Sequence, residues 1–176
     1  MEKWLALFDA CSGVSTDSRQ IQEGCLYIAL KGDNFDGNLF AEQAIAQGAR
    51  FAIVDNPELA NEENIFYVSD GLHFLQQLAL AHRNRFEIPV LGITGSNGKT
   101  STKELVNAVL QTKYNVLCTQ GNLNNHIGVP LTLLQLNAQH ELAIIEMGAN
   151  KPLDIDELCR IAAPTLGLIT NIGKAH

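Results

Sequence analysis

Apolar positions along this chain fall into two rhythms. Short unbroken runs read as buried strands, and longer stretches in which apolar residues recur every three or four positions read as helices. In the first half, "CLYIAL" (25–30), "RFAIVD" (50–55) and "IFYVSD" (65–70) are predicted strands. "GDNFDG" is a predicted turn, and "LFAEQAIAQGA" (39–49) is a predicted helix with Gly48 near its end. Asp70 is placed to cap "GLHFLQQLALAHRNRF", whose Leu72, Leu75, Leu78, Ala79 and His82 keep a helical period.

The second half alternates more strictly. Predicted strands "VLGIT" (90–94), "NVLCT" (115–119), "LAIIEM" (142–147) and "LGLIT" (166–170) are separated by helices at 99–113, 128–136 and 153–163. The first of these helices is expected to gather Leu105, Val109 and Leu110 on one side, and the second carries Pro130 in its first turn. Strands that are apolar throughout and alternate with helices imply a parallel sheet covered on both faces. The fold class is therefore α/β: a small mixed α/β domain over 1–85, then the first part of a P-loop-type parallel α/β domain over 86–176. The break is set where a charged helix end meets Pro89. Because the last strand leads into "TNIGKAH" in mid-loop, the sheet edge looks unfinished and the chain is expected to be part of a longer protein.

Composition narrows the function classes. With 46 % apolar and 18 % charged residues, the 176-residue chain is a folded one. A formal charge of −7 argues against general nucleic-acid binding, which needs a basic face, but not against one anionic ligand in a local cradle of N–H groups. The N-terminus is too short and too acidic for a secretion signal, and no window approaches the roughly 18 apolar residues of a membrane helix. No membrane partner is expected. Cys11, Cys25, Cys118 and Cys159 form no Cys-x-x-Cys pair and read as reduced thiols. A cytoplasmic protein is the expectation.

The chemistry concentrates in "TGSNGKTSTKE" (94–104). A glycine-rich turn between an apolar strand and a helix can point backbone N–H groups at a phosphate, with the helix N-terminus adding partial positive charge. The spacing is shorter than Gly-x-x-x-x-Gly-Lys-Thr, since Gly95 stands only three residues before Gly98. The competing reading is a plain glycine turn, but the flanking strand and helix favour the phosphate loop. On it, Gly95, Ser96, Asn97, Gly98, Lys99, Thr100 and Ser101 cradle the phosphates of a nucleotide, Lys99 reaches the β and γ oxygens, and the Thr100 hydroxyl holds Mg²⁺.

Other polar residues fall on the same sheet edge, where open α/β sheets bind ligands. Glu146 closes a strand and is the candidate Mg²⁺ carboxylate. Asn171 and His176 follow the last strand. Asn124, Asn125 and His126 lie in "GNLNNHIGVP", which reads either as ligand-facing or as a helix-capping segment. "NKPLD" (150–154) nearly matches the Asn-Lys-x-Asp that reads guanine, but it is one residue too long and carries Pro152. A GTPase switch is therefore a poor second reading, and a non-catalytic nucleotide-sugar-binding module a third.

The short loop resembles that of the Mur ligases, ATP-dependent amide-forming enzymes of peptidoglycan synthesis, which use Gly-x-x-Gly-Lys-Thr. "GNLNNHIGVPLTLL" and "IIEMGAN" resemble the member that joins D-alanyl-D-alanine to UDP-N-acetylmuramoyl-tripeptide, and "STDSRQIQEGCLYIALKGDNFDGNLF" (15–40) resembles its nucleotide-sugar domain. The resemblance implies ATP and Mg²⁺ as cofactors and those two compounds as substrates; a monomer is the expectation, although the sequence does not fix the oligomeric state. The resemblance makes Lys99, Glu146 and His176 catalytic, and gives one metal to Thr100 and Glu146 and a second to His176. It also implies that Thr16, Ser18, Arg19 and Lys31 grip the uridine diphosphate end, while Asn124 and Asn125 line the crossing of ATP and peptide. Asn38 stands where the family often has His. The family's carbamoylated lysine and C-terminal domain would lie beyond residue 176, so this piece alone is not expected to catalyse.

Overall fold

The computed structural model describes residues 1–61 and 63–173. The chain divides into two compact units, Met1–Leu78 and Ala79–His176. The division falls inside one continuous helix, Gly71–Arg83, rather than at the Pro89 turn.

In the first unit, helix α1 (Glu2–Asp9) precedes strand β1 (Val14–Ser15) and strand β2 (Leu26–Ile28). A two-stranded antiparallel hairpin follows, β3 (Lys31–Gly32) and β4 (Phe35–Asp36), then a 3₁₀ turn over Gly37–Phe40 and helix α2 (Ala41–Ala46). Strands β5 (Phe51–Val54) and β6 (Ile65–Tyr67) and helix α3 (Gly71–Arg83) complete the order. The sheet runs β1-β2-β5-β6, all parallel. The unbroken apolar runs form strands because both of their faces are covered: Leu26, Tyr27 and Ile28 are all fully buried. Each such side chain contributes about 1.5–3 kcal/mol by leaving water. The core joins Tyr27, Ala44, Ala52, Val54 and Ile65, and the Tyr27 hydroxyl donates to the Gly37 carbonyl at 2.9 Å. Helix α1 is pinned by Trp4, whose ring meets Phe74 edge-on at 5.1 Å.

In the second unit, β7 (Val90–Thr94), α4 (Lys99–Leu110), β8 (Val116–Cys118), α5 (Gly128–Leu133), β9 (Leu142–Glu146), α6 (Asp154–Ala162) and β10 (Leu166–Ile169) alternate. The sheet order is β10-β7-β9-β8, again all parallel. The connection out of β7 passes over β9 to reach β8, whereas the connection out of β9 passes back over β7 to reach β10. Right-handed crossovers therefore put α4 on one face and α5 and α6 on the other, and α5 packs against α6. Where neighbouring connections diverge, a crevice opens at the carboxyl ends of the strands. Here that is the space between the ends of β7 and β9.

One helix face differs from the expectation. Leu105 and Val109 on α4 are exposed, while Val106 and Leu110 pack on the core and Lys103 is buried. The Lys103 ammonium donates to the Thr119 carbonyl at 2.7 Å and pairs with Glu104 at 2.7 Å. A long aliphatic stem with a satisfied head can take a core position that periodicity assigns to leucine. Among the described residues, no helix is long and apolar enough to cross a membrane.

Leu153 enters α6 in the left-handed region, at φ 73°, and is 79 % exposed. The backbone there suits glycine, and the leucine side chain gains little burial in return. Leu153→Gly should raise stability by about 1 kcal/mol, read as a melting temperature higher by about 2–4 °C. An unchanged or lower melting temperature would show that the side chain has a contact worth the strain.

Candidate functional site

The turn after β7 is held from outside. Residues leaving β10 grip it: Asn171 accepts from the Asn97 N–H through its Oδ1 at 3.0 Å and donates to the Asn97 carbonyl through its Nδ2 at 3.1 Å. The Thr170 hydroxyl donates to the same carbonyl at 2.6 Å, and the Ser96 N–H donates to the Asn171 carbonyl at 3.2 Å. Gly173 adds a further bond, its N–H donating to the Ser96 Oγ at 2.9 Å. Two glycines make this turn possible. A Cβ on Gly95 would collide with the Thr170 hydroxyl and stand 3.0 Å from the Asn171 nitrogen, and Gly98 turns into α4 at φ 79°.

This arrangement changes which donors face a ligand. The amides of Ser96 and Asn97 are already bonded to Asn171. No side chain caps α4, and the first N–H groups of a helix lack intrahelical acceptors. The amides of Gly98, Lys99, Thr100 and Ser101 therefore have no intrahelical acceptor, and at this end of α4 the helix dipole favours an anion. The Lys99 ammonium lies back on the loop, donating to the Gly95 carbonyl at 2.6 Å. A cleft of about 590 Å³ opens here, bordered by Gly95, Ser96, Lys99, Asn150 and Asn171, with Ile155 among its apolar lining. Ser101 is exposed one residue into the helix beyond Thr100.

Glu146 closes β9 directly beside β7, its Cα paired with that of Ile93. Only 1 % of it is exposed. Its Oε1 accepts from Thr100 Oγ1 at 3.2 Å and from Asn124 Nδ2 at 2.8 Å, while Oε2 is buried with no hydrogen-bond partner. A lone buried carboxylate oxygen is unfavourable unless a cation or donor completes it. Thr119 fixes the backbone beneath it, its Oγ1 accepting the Glu146 N–H at 3.0 Å. The donor set, a carboxylate oxygen and a hydroxyl beside a phosphate-sized turn, suits Mg²⁺, which takes one or two protein oxygens and keeps waters. Among the described residues, no group of three or more His, Cys, Asp or Glu side chains gathers to hold a metal. His176 lies outside the described residues.

The structure thus joins Lys99, Thr100, Glu146 and Asn124 on one rim. Asn125 does not join them. Its Oδ1 accepts from the N–H groups of Ile127 and Gly128, capping α5. In "NKPLD", the Asp154 carboxylate accepts from the Asn150 and Lys151 amides at 2.8 and 3.0 Å, and these bonds hold it below the usual carboxylate range. A side chain bonded into its own turn is poorly placed to read a guanine.

The first unit has its own cavity, of about 420 Å³, lined by Thr16, Asp17, Ser18, Arg19, Phe35 and Phe40. Arg19 meets Asp17 side by side, Nε to Oδ1 at 2.9 Å and NH2 to Oδ2 at 2.8 Å. The Arg19 hydrogen bonds hold the Asp17 carboxyl down at about 2. Lys31 is not part of this lining. It pairs with Asp55 at 2.7 Å, and Asn38, nearly fully buried, ties Asp36 to Asp55. Burial raises the Asp55 carboxyl, but Lys31, Asn38 and the Gly71 amide outweigh it and leave it lowered. Asn38 is therefore a structural link between β4 and β5. Sequence reading missed Phe35 and Phe40, although two phenylalanines flanking an Asp-Gly turn were there to be noticed.

Comparison with known proteins places these features in one family. The family profile described as "Mur ligase middle domain" matches residues 93–176, and that described as "Mur ligase family, catalytic domain" matches residues 10–83. The chain is 45 % identical over 166 residues to the UDP-N-acetylmuramoyl-tripeptide–D-alanyl-D-alanine ligase of Bacillus subtilis, covering 93 % of this chain and 36 % of that protein. It is 46 % identical over 167 residues to the Synechocystis protein of the same name, covering 94 % and 37 %. Among solved structures, MurF from Acinetobacter baumannii superposes with a TM-score of 0.86 at 40 % identity, over 93 % of this chain and 36 % of that one. MurF ligase from Thermotoga maritima, solved in complex with ADP, gives 0.84 at 36 % identity, over 93 % and 38 %. The chain thus spans little more than a third of the length of these relatives.

Asn171→Ala removes both side-chain bonds to Asn97. Amide hydrogen exchange at Asn97 should accelerate about tenfold or more, while amides of β7 and β9 keep their protection. Unchanged exchange at Asn97 would show that the turn holds itself.

Proposed function

The chain belongs to the Mur ligase family, and on that premise we propose that the protein carrying it is a cytoplasmic, ATP-dependent ligase that adds D-alanyl-D-alanine to UDP-N-acetylmuramoyl-tripeptide in peptidoglycan synthesis. The first unit takes the uridine diphosphate end of the precursor, and the second supplies the phosphate loop for ATP. The observation that carries the reading is the rim itself: a glycine turn, Lys99, and a buried Glu146 with one unpartnered oxygen beside the Thr100 hydroxyl.

In this reaction a carboxylate oxygen of the tripeptide attacks the γ-phosphorus of ATP, the bond from that phosphorus to the β–γ bridging oxygen breaks, and ADP leaves. The amine of D-alanyl-D-alanine then attacks the carbonyl carbon of the acyl phosphate, giving up a proton as inorganic phosphate departs. Both steps build negative charge on phosphoryl oxygens. Lys99 offsets it by turning its ammonium from the Gly95 carbonyl to the β and γ oxygens, a short movement of a flexible side chain. The α4 N-terminal amides add fixed donors that need no reorganisation. Thr100 and Glu146 would hold Mg²⁺, which supplies charge neutralisation at the transferring phosphoryl group when bound. Asn124 keeps the Glu146 carboxylate turned toward the loop through its 2.8 Å bond, and we assign His176 to a second metal.

Two results test this. The protein carrying these residues, given ATP, UDP-N-acetylmuramoyl-tripeptide and D-alanyl-D-alanine, should release phosphate only when all three are present; release without the dipeptide would reject the ligase reading. In the same assay Lys99→Ala should lower kcat by about 10²-fold or more, because it removes charge stabilisation made in the transition state. A loss confined to KM would place Lys99 in ground-state binding alone.

A further inference from the structure

Phe35 is 48 % exposed, which leaves about half of a phenyl ring in water at a cost that burial would remove. The hairpin β3–β4 holds it there, with Phe35 paired opposite Gly32. Its inner face is backed by Phe40 from the following 3₁₀ turn: the ring centroids are 5.5 Å apart and the planes only 8° from parallel. That stacking fixes the plane of Phe35 while leaving its other face open.

The rest of the cavity has the opposite chemistry. Thr16 and Ser18 bring hydroxyls, and the Arg19 side chain is 86 % exposed. Of the five guanidinium N–H donors, two go to Asp17, so three remain for an incoming group. The pairing with Asp17 cancels much of the net attraction of Arg19 for anions at a distance. What remains is a guanidinium held in a set orientation that can make charge-assisted hydrogen bonds at contact. A flat apolar face and an oriented cation sharing one cavity match a ligand that is a planar ring at one end and an oxyanion at the other.

We propose that Phe35, backed by Phe40, is the stacking platform for the uracil base of the nucleotide sugar, with the diphosphate directed at Arg19, Ser18 and Thr16. This rests on the reading that the first unit takes the uridine diphosphate end, and it adds the group that recognises the base. Stacking on an aromatic ring supplies affinity for the base without requiring hydrogen bonds to its edge.

The test is a calorimetric titration of this chain with UDP and, separately, with inorganic pyrophosphate, for the wild type, Phe35→Ala, Phe35→Tyr and Arg19→Ala. Phe35→Ala should weaken UDP binding about tenfold and leave pyrophosphate unchanged; Phe35→Tyr should keep UDP binding within about twofold; Arg19→Ala should weaken both ligands. Equal UDP affinity in the wild type and Phe35→Ala, with UDP binding intact, overturns the platform while sparing the reading of the cavity. No UDP binding by the wild-type chain overturns that reading and the platform with it. Should Phe35→Ala lower the melting temperature, the Phe35→Tyr arm decides: loss of UDP affinity there, with the ring still present and the fold intact, also overturns the proposal.

Discussion

The second unit is organised around one unfinished valence. Glu146 is a buried carboxylate with two donors on one oxygen and none on the other. Burying such a group costs free energy that packing does not return, so the surrounding elements make sense only if something else completes it. Those elements are costly in their own right: Asn124 is drawn onto the carboxylate from the loop before α5, and Thr119 holds the backbone of Glu146 from the end of β8. Lys103 in turn fixes Thr119 from within α4. Three segments thus converge on Glu146 at the sheet's crevice.

The glycine turn after β7 meets this carboxylate through Thr100, and its short course is braced from outside. A longer loop can satisfy its own backbone; this one leans on β10. The carboxamide of Asn171 bonds both the N–H and the carbonyl of Asn97, as a neighbouring strand would. The space a side chain would need at Gly95 is filled by Thr170 and Asn171. Loop, β9 and β10 therefore form one mechanical unit, and the residues that leave β10 are as much a part of the cradle as the glycines. The donors available to a phosphate are correspondingly shifted toward the start of α4.

Much of this was legible in the sequence, for identifiable reasons. Strands buried on both faces are continuous apolar runs, so β2, β5, β7 and β9 stood out, and alternation with helices fixed the parallel sheet. Glu146 was visible as an acid ending such a run. On α4 the pattern groups Leu105 and Val109 with the core, whereas both point to solvent and Lys103 goes inside; periodicity weighs hydrophobicity and cannot see an ammonium satisfied by a carbonyl. The hairpin β3–β4 shows in the sequence only as a turn, since two-residue strands have no period to detect. The grip of Asn171 on Asn97 joins residues far apart in the chain, and nothing local announces it. Asn125 and Lys31, assigned by resemblance to ligand contact, are engaged here in capping α5 and pairing Asp55. The stacked Phe35 and Phe40 are the reverse case: the sequence shows them only as phenylalanines flanking an Asp-Gly turn, and the cavity brings their pairing into view.

If a metal shared with a bound nucleotide completes the free oxygen of Glu146, that carboxylate governs how Mg²⁺ affects nucleotide binding. The most direct measurement is the affinity for ADP of the protein carrying this chain, with and without Mg²⁺, in the wild type and in Glu146→Gln. Mg²⁺ should strengthen ADP binding about tenfold or more in the wild type and hardly at all in the variant. Equal enhancement by Mg²⁺ in both proteins would contradict that role for Glu146.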